Sequence, residues 1–213
     1  MPVDLDPPSK FKLGRLHGDV FARELYKYLK WLEDLANVPG PVGPQGPQGP
    51  VGYPITAVYG AFSDSTDQAF VVGSELIAKY NTTEASYGVT VANDPITLRP
   101  TRLTVPQTGV YSCCISPQFY HTGGGTETIT FWARVNGTDV PRSASSVEMG
   151  NNNNRNLPFV ELILPLTAGQ YVEWVFTASS GTTLNLEAFP AVTGPPAVPA
   201  IPSVIASVKL IGG

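Results

Sequence analysis

Charge is scarce in this sequence: Asp, Glu, Lys and Arg together make 14% of its 213 residues, against about 25% in an ordinary soluble domain. The small excess is acidic, a formal −4, so the basic footprint that nucleic acid or an anionic membrane requires is missing. Histidine and cysteine occur twice each. His17 and His121 have no partner at ligand spacing, and no metal centre is expected. Cys113 and Cys114 are neighbours in a segment that reads as a strand, where successive Cβ atoms point to opposite faces. A bond between them would be strained, so both are read as free thiols. No apolar run approaches the roughly 18 residues that would span a bilayer. The opening segment, Met1 to Lys10, is acidic and broken by proline, unlike a secretory leader.

Catalytic signatures are missing too. There is no G-x-S-x-G elbow, no Walker loop and no H-E-x-x-H pattern. Gly123-Gly124-Gly125 leads into a strand rather than a helix, which makes a poor phosphate cradle. Glu127, Glu148, Glu161, Glu173 and Glu187 contain no pair whose spacing marks a glycosidase. Neither an enzyme nor a cofactor is expected.

Glycine and proline are plentiful instead, 21 of each. Both disrupt helix interiors, so the composition favours short strands and tight turns. The chain divides into three segments: 1–38, 39–54 and 55–213. The first contains DVFARELYKYLKWLEDLANV, which opens on Asp19, a good N-cap residue, and must stop near Asn37 because Pro39 and Gly40 follow. Phe21, Leu25, Tyr28, Leu32 and Leu35 recur at alternating spacings of four and three, a heptad seam. A helix this short is marginal alone in water and needs a partner for its apolar stripe, either its own globular domain or other copies of itself.

The second segment selects between those partners. Residues 40–54 read GPVGPQGPQGPVGYP, with glycine at Gly40, Gly43, Gly46, Gly49 and Gly52. Glycine at every third position is required where three polyproline-type strands meet at an axis too crowded for a side chain. A flexible linker has no reason to keep that period. The segment would span about 45 Å at ~3.1 Å per residue. Five triplets cannot hold three chains together unaided, so a trimerising helix beside them explains both. A homotrimer is expected, with residues 1–38 as its anchor.

The third segment reads as strand and turn throughout. Strands are predicted over 56–62, 96–105, 109–119, 127–136, 157–166, 170–179, 183–189 and 204–212. Turn chemistry falls between them at Pro106-Gln107-Thr108-Gly109, Asn136-Gly137, Ala168-Gly169 and Ser180-Gly181. Eight short strands without an intervening helix predict a mainly β head, an antiparallel jelly-roll sandwich. VPQTGVYSCCISPQF, ARVNGTDV, LPLTAGQYVEWVF and VIASVKLIG resemble, in that order, strands of the tumour-necrosis-factor and complement-type jelly roll. That family's trimeric heads are often set on collagen-like stalks. The Pro-rich stretch FPAVTGPPAVPAIP (189–202), inserted before the last strand, departs from the family pattern.

The resemblance implies a trimer axis lined by apolar and aromatic residues, for which Trp132, Trp174, Phe159, Phe176 and Tyr171 are candidates, most of them serving the sandwich core. Arg134, Glu161 and Glu173 sit in otherwise apolar strands and are expected to face solvent or a subunit boundary, because an unpaired buried charge is expensive. The loop GNNNNRN offers Asn151, Asn152, Asn153, Asn154 and Arg155, with His121 at a nearby hairpin tip, either as a solvated loop or as a tip that contacts glycan or protein. Asn81-Thr82-Thr83 and Asn136-Gly137-Thr138 match a glycosylation pattern but carry no weight without a secretion signal.

A collagen-like stem joined to such a head also resembles parts of bacteriophage fibres and capsid decorations. The resemblance implies a structural virion protein, assembled in the host cytoplasm and displayed on the particle. Its partners would be itself, capsid or tail proteins through residues 1–38, and a host surface glycan or protein. A head fibre or decoration is expected before a tail fibre. A spore-coat or cell-surface filament protein, and a polysaccharide-degrading spike, are the other readings.

Overall fold

The computed structural model describes residues 18–37, 43, 45–46, 57–179 and 183–213. It forms two compact units, Met1–Tyr53 and Pro54–Gly213. Of the expectations above, Gly40, Gly49, Gly52, His17, the Phe21 side chain and the Ser180-Gly181 turn lie outside the described residues.

The first unit contains helix α1, Gly18–Ala36, within one residue of the ends predicted from the Asp19 cap and the Pro39 stop. Leu25 and Tyr28 of the seam are half-buried. Leu29, Leu32 and Leu35 stay exposed at 54%, 39% and 40%, so much of the apolar stripe is open. An ion pair one turn apart, Lys27 Nζ to Glu24 Oε1 at 2.9 Å, lies on the polar side.

The second unit is built of strands. In chain order these are β1 (Tyr59–Asp64), β2 (Gln68–Ala69), β3 (Leu76–Ile77), β4 (Thr82–Tyr87), β5 (Thr90–Asn93), β6 (Pro100–Thr104), β7 (Gly109–Pro117) and β8 (Phe119–His121). There follow β9 (Glu127–Val135), β10 (Thr138–Asp139), β11 (Ser145–Met149), β12 (Asn154–Asn156), β13 (Val160–Leu166), β14 (Tyr171–Ala178), β15 (Leu184–Leu186) and β16 (Val204–Gly212). One sheet has the order β13-β7-β16-β1-β4. A second runs β9-β14-β6-β5, with β10 and β11 along the free edge of β9 and β3 beside β14. A small third sheet, β12-β8-β15-β2, closes one end.

Every pairing between these strands is antiparallel, and the chain passes from one large sheet to the other between β1 and β3, β3 and β4, β4 and β5, β6 and β7, β7 and β9, β11 and β13, β13 and β14, and β14 and β16. The first and last strands pair with each other. This strand order is a jelly roll, two interleaved Greek keys folded face to face.

The core follows from period-two alternation. Along β7, Tyr111, Cys113 and Ile115 are fully buried, and Val110, Ser112, Cys114 and Ser116 face the other way. From the opposing sheet come Phe131, Ala133, Val172, Trp174 and Phe176. Phe119, Phe131 and Phe176 form an aromatic cluster, their ring centroids 5.8–5.9 Å apart, two of the three pairs edge-on. Trp174 and Phe176 therefore serve their own sandwich and not a threefold axis. Of the five candidates Phe159 is the most exposed, at 65%, and Trp132 and Tyr171 are half-buried on the outer face. Burial pushes the Cys113 thiol up to about 12, with the neighbouring Cys114 adding to the effect, and both thiols are free.

All eight predicted strand regions contain strands, and 204–212 coincides with β16. The Asn136-Gly137 turn has positive φ at both residues, 48° and 79°, as a type I′ hairpin demands. The strands not anticipated are polar or very short. All six residues of β4, TTEASY, are exposed, so no apolar alternation marks it. The Pro-rich insertion forms an arm: Phe189 and Ile201 exchange backbone hydrogen bonds of 2.8 and 2.9 Å, and Val192 and Val198 exchange bonds of 2.9 and 3.0 Å.

Phe119→Ala is expected to cost the head about 3–5 kcal/mol, because it empties one corner of the aromatic cluster. Urea denaturation followed by tryptophan fluorescence measures it.

Candidate functional site

Three surfaces of the head carry chemistry, and the strand register fixes each. The first contains the asparagine loop. Strand β8 alternates inward, outward, inward, so His121 points into the sandwich beside Phe119 and is fully buried. Its Nδ1 lies 2.7 Å from the Gly150 carbonyl oxygen. Its Nε2 is 3.7 Å from Glu127 Oε1, which accepts a 2.9 Å bond from the Thr183 hydroxyl. The expectation that His121 contacts a ligand from a hairpin tip is thus corrected: the strand continues through it, and the pleat turns it inward.

The asparagines have local work. Asn151 Oδ1 accepts from the Gly125 amide at 2.5 Å, and Asn153 Oδ1 accepts from the Tyr120 hydroxyl at 2.7 Å. Asn152 and Asn153 take φ of 38° and 57°, the left-handed region that asparagine tolerates best among residues with a side chain. Asn154 and Arg155 belong to β12. The Arg155 guanidinium lies over both the Tyr120 ring (4.8 Å) and the Phe189 ring (4.4 Å), which ties this corner to the base of the arm.

The second surface is the outer face of the β9-β14-β6 sheet. Glu173 is 3% exposed; it accepts from the Thr101 hydroxyl at 2.8 Å and faces Arg102 Nε at 3.5 Å. Arg102 also reaches Asp94 at 2.5 Å and stacks on Tyr171. Arg134 donates two 2.9 Å bonds to Glu75 and one of 2.7 Å to Asp139, and the Trp132 indole N–H joins Asp139 at 2.8 Å. Arg134 and Glu173, expected to face solvent or a subunit boundary, each have partners within their own head. Glu161 differs: it is exposed on the other sheet and accepts from the Ser112 hydroxyl at 2.5 Å.

The Asp94 carboxyl sits below the usual carboxylate range, held chiefly by the Thr97 backbone N–H, then the Thr97 hydroxyl, the Ile96 N–H and Arg102. Asp139 is likewise lowered, first by Arg134 and then by the Trp132 N–H.

The third surface is a cleft of about 460 Å³ beside the arm. Ser63, Ser65, Thr66, Asp67, Thr82 and Glu84 line it from β1, β4 and the turn after β1, opposite Phe189, Pro190, Ile201 and Pro202. Nearby, burial and then the Asp67 carboxylate push the Glu187 carboxyl upward, against the opposing pull of Arg155. Sequence reasoning missed this cleft, because its lining comes from three segments more than a hundred residues apart at the extremes. The only signal was the uncharged insertion itself. Among the described residues, no group of three His, Cys, Asp or Glu could hold a metal.

Solved structures similar to the chain include two jelly-roll domains. The globular domain of zebrafish complement 1qA protein is 12% identical with a TM-score of 0.40, covering 72% of this chain and 97% of that one. An Eiger TNF from S. frugiperda is 13% identical with a TM-score of 0.44, covering 74% and 94%. The strand order assigns the jelly roll without these likenesses. No family model matches the sequence, and no curated protein matches it either.

Arg134→Ala is expected to lower head stability by about 1–2 kcal/mol, by the same amount at every protein concentration, since the lost partners are intramolecular. Denaturation midpoints at two concentrations a hundredfold apart check this. Because Asp94 and Asp139 have lowered folded-state values, their contribution is complete above the ordinary carboxylate value near ~3.9 and is lost as pH falls beneath it. Urea midpoints measured from neutral pH downward should therefore decline on the acid side, and less so in Arg134→Ala.

Proposed function

We propose that the protein is a trimeric external fibre or decoration of a bacteriophage particle. Residues 1–38 dock it and register three chains, 39–54 form a short triple-helical stem, and 55–213 project the jelly-roll head for surface attachment or shell stabilisation.

The observation that carries this reading concerns Gly43 and Gly46. A Cβ built on either meets nothing within 4 Å, and neither adopts a left-handed φ. Among the described residues nothing in their own chain supplies a reason for glycine at these positions. Three chains sharing an axis do supply one, at the period of three the sequence keeps.

The head supports the same assembly. On the outer face of β13-β7-β16, the central strand presents the half-buried Ser112, Cys114 and Ser116, flanked by exposed Ile163 on β13 and Ile205 and Ile211 on β16. Pairing sets Ser112 between Ile163 and Lys209, and Ser116 opposite Ile205. Small residues in the middle and apolar ones at the sides make a flat, weakly charged face, of the kind that marks an association surface. The open stripe of Leu29, Leu32 and Leu35 on α1 is a second such surface in the other unit. The placement on a virion rests on the order of helix, stem and head.

Light scattering of the full chain should give three times 22.7 kDa, and a species of one chain would overturn the proposal. Gly46→Ala should lower the melting midpoint of a polyproline-type circular-dichroism signal and leave that of the head unchanged. The protein should also co-sediment with purified phage particles; labelling of spore surfaces in its place would transfer the stem and head to a spore coat.

A further inference from the structure

The cleft beside the arm has a use that the trimer does not require. We propose that it is a binding site for a neutral saccharide, with Asp67 and Glu84 accepting ligand hydroxyls and Phe189 packing against the C–H face of the ring.

A pyranose presents a rim of hydroxyls around a hydrophobic face, and a site for it needs fixed acceptors beside a rigid apolar wall. Both acceptors are fixed here by one oxygen each. Asp67 Oδ1 accepts the Ala188 backbone N–H at 2.8 Å, and Glu84 Oε1 accepts the Ser63 hydroxyl at 2.6 Å. The second oxygen of each carboxylate has no partner among the described residues, so it is oriented and still available.

The wall is equally fixed. Phe189 is held by its paired hydrogen bonds to Ile201, by the Tyr120 ring edge-on at 6.3 Å and by the Arg155 guanidinium over its ring. A volume of about 460 Å³ lies within the roughly 300–1,000 Å³ of small-molecule sites. Its lining includes no lysine or arginine. Of the two cations that touch lining residues, Lys79 is engaged by the Thr66 hydroxyl at 2.8 Å and Arg155 is stacked on Phe189, so the unengaged carboxylate oxygens disfavour an anionic sugar. A neutral one is selected by charge as well as by shape. That the saccharide sits on a bacterial surface rests on the virion reading above; that the cleft binds it does not.

The test titrates the full chain, by ligand-observed NMR, with lactose, maltose and N-acetylglucosamine, and in parallel with glucuronic acid and N-acetylneuraminic acid. At least one neutral sugar should saturate, with the acids about tenfold weaker or worse. Asp67→Asn and Glu84→Gln each keep the internal acceptor and should each weaken binding by about tenfold, the cost of a charge-assisted hydrogen bond. Glu148→Gln, on an exposed position of β11, should leave it unchanged. The site is overturned if none of the neutral sugars binds, if the acids bind as well as they do, or if both cleft variants retain full affinity. A lysine-rich peptide competing for the cleft when no sugar does would make it a peptide site, and a cleft closed to every probe in the trimer would make the arm a contact between copies. Neither result touches the trimer or the virion placement, which scattering and co-sedimentation decide separately.

Discussion

The period-two alternation of β7 and β16, the middle strands of one sheet, is the constraint on which the head depends. Facing inward, Tyr111, Cys113, Ile115, Val204, Ala206 and Val208 are buried in the core they share with Phe131, Trp174 and Phe176 of the opposite sheet. The same backbone must then present Ser112, Cys114, Ser116, Ile205 and Ile211 outward. A one-residue slip would exchange the two sets and put hydroxyls in the core. Core and outer face are thus two consequences of one register, and no substitution alters one strand's alternation without disturbing both. Cys113 and Cys114 illustrate it: adjacent in sequence, one thiol is sealed in the core and the other lies among serines on the surface.

That register was legible in the sequence wherever strands bury one face. VYSCCISPQF, ETITFWARV and VIASVKLIG carry apolar residues at every second position or nearly so, and Asn136-Gly137 fixes its hairpin through a backbone that few other pairs tolerate. The edge was not legible. Strand β4 pairs with β1 through its backbone and buries none of its side chains, so its residues were free to be polar and gave no periodic signal. The pairing of the short β2, β8, β12 and β15 sheet, of which the β15 segment was legible as a strand, was hidden for another reason. Its pairs join residues more than thirty positions apart, as Asn154 with His121, and Asn185 with Ala69 and with Tyr120, and no local pattern announces them.

The functional residues divide in the same way. Arg134 and Glu173 were singled out because charge in an apolar strand needs an explanation, and that physical premise holds. Their partners among the described residues are Glu75 and Asp139 for Arg134, and Thr101 and Arg102 for Glu173, all within the same head. His121 turns inward because strand pairing continues two residues past the predicted end at 119, up to the glycine triplet. The asparagine run looked like a recognition tip by composition alone; in the fold, two of its residues supply left-handed backbone and two brace neighbouring loops with their side chains.

What links the loop, the arm and the cleft is Arg155. Its guanidinium covers Tyr120 on β8 and Phe189 at the foot of the arm, and its charge opposes the upward shift of the Glu187 carboxyl. An arm of fourteen residues from Phe189 to Pro202 with only two pairs of backbone hydrogen-bonded positions would otherwise be free to swing. With Arg155 stacked on Phe189, the arm's root is set at the rim of the cleft and the wall opposite Asp67 and Glu84 has a defined position. Ordering an apolar segment in water costs conformational entropy that its own contacts do not return, since residues 190–201 stay exposed. The insertion therefore makes physical sense as one side of a surface completed by something outside the single head. A saccharide held between Phe189 and the two carboxylates completes it with the groups already in place.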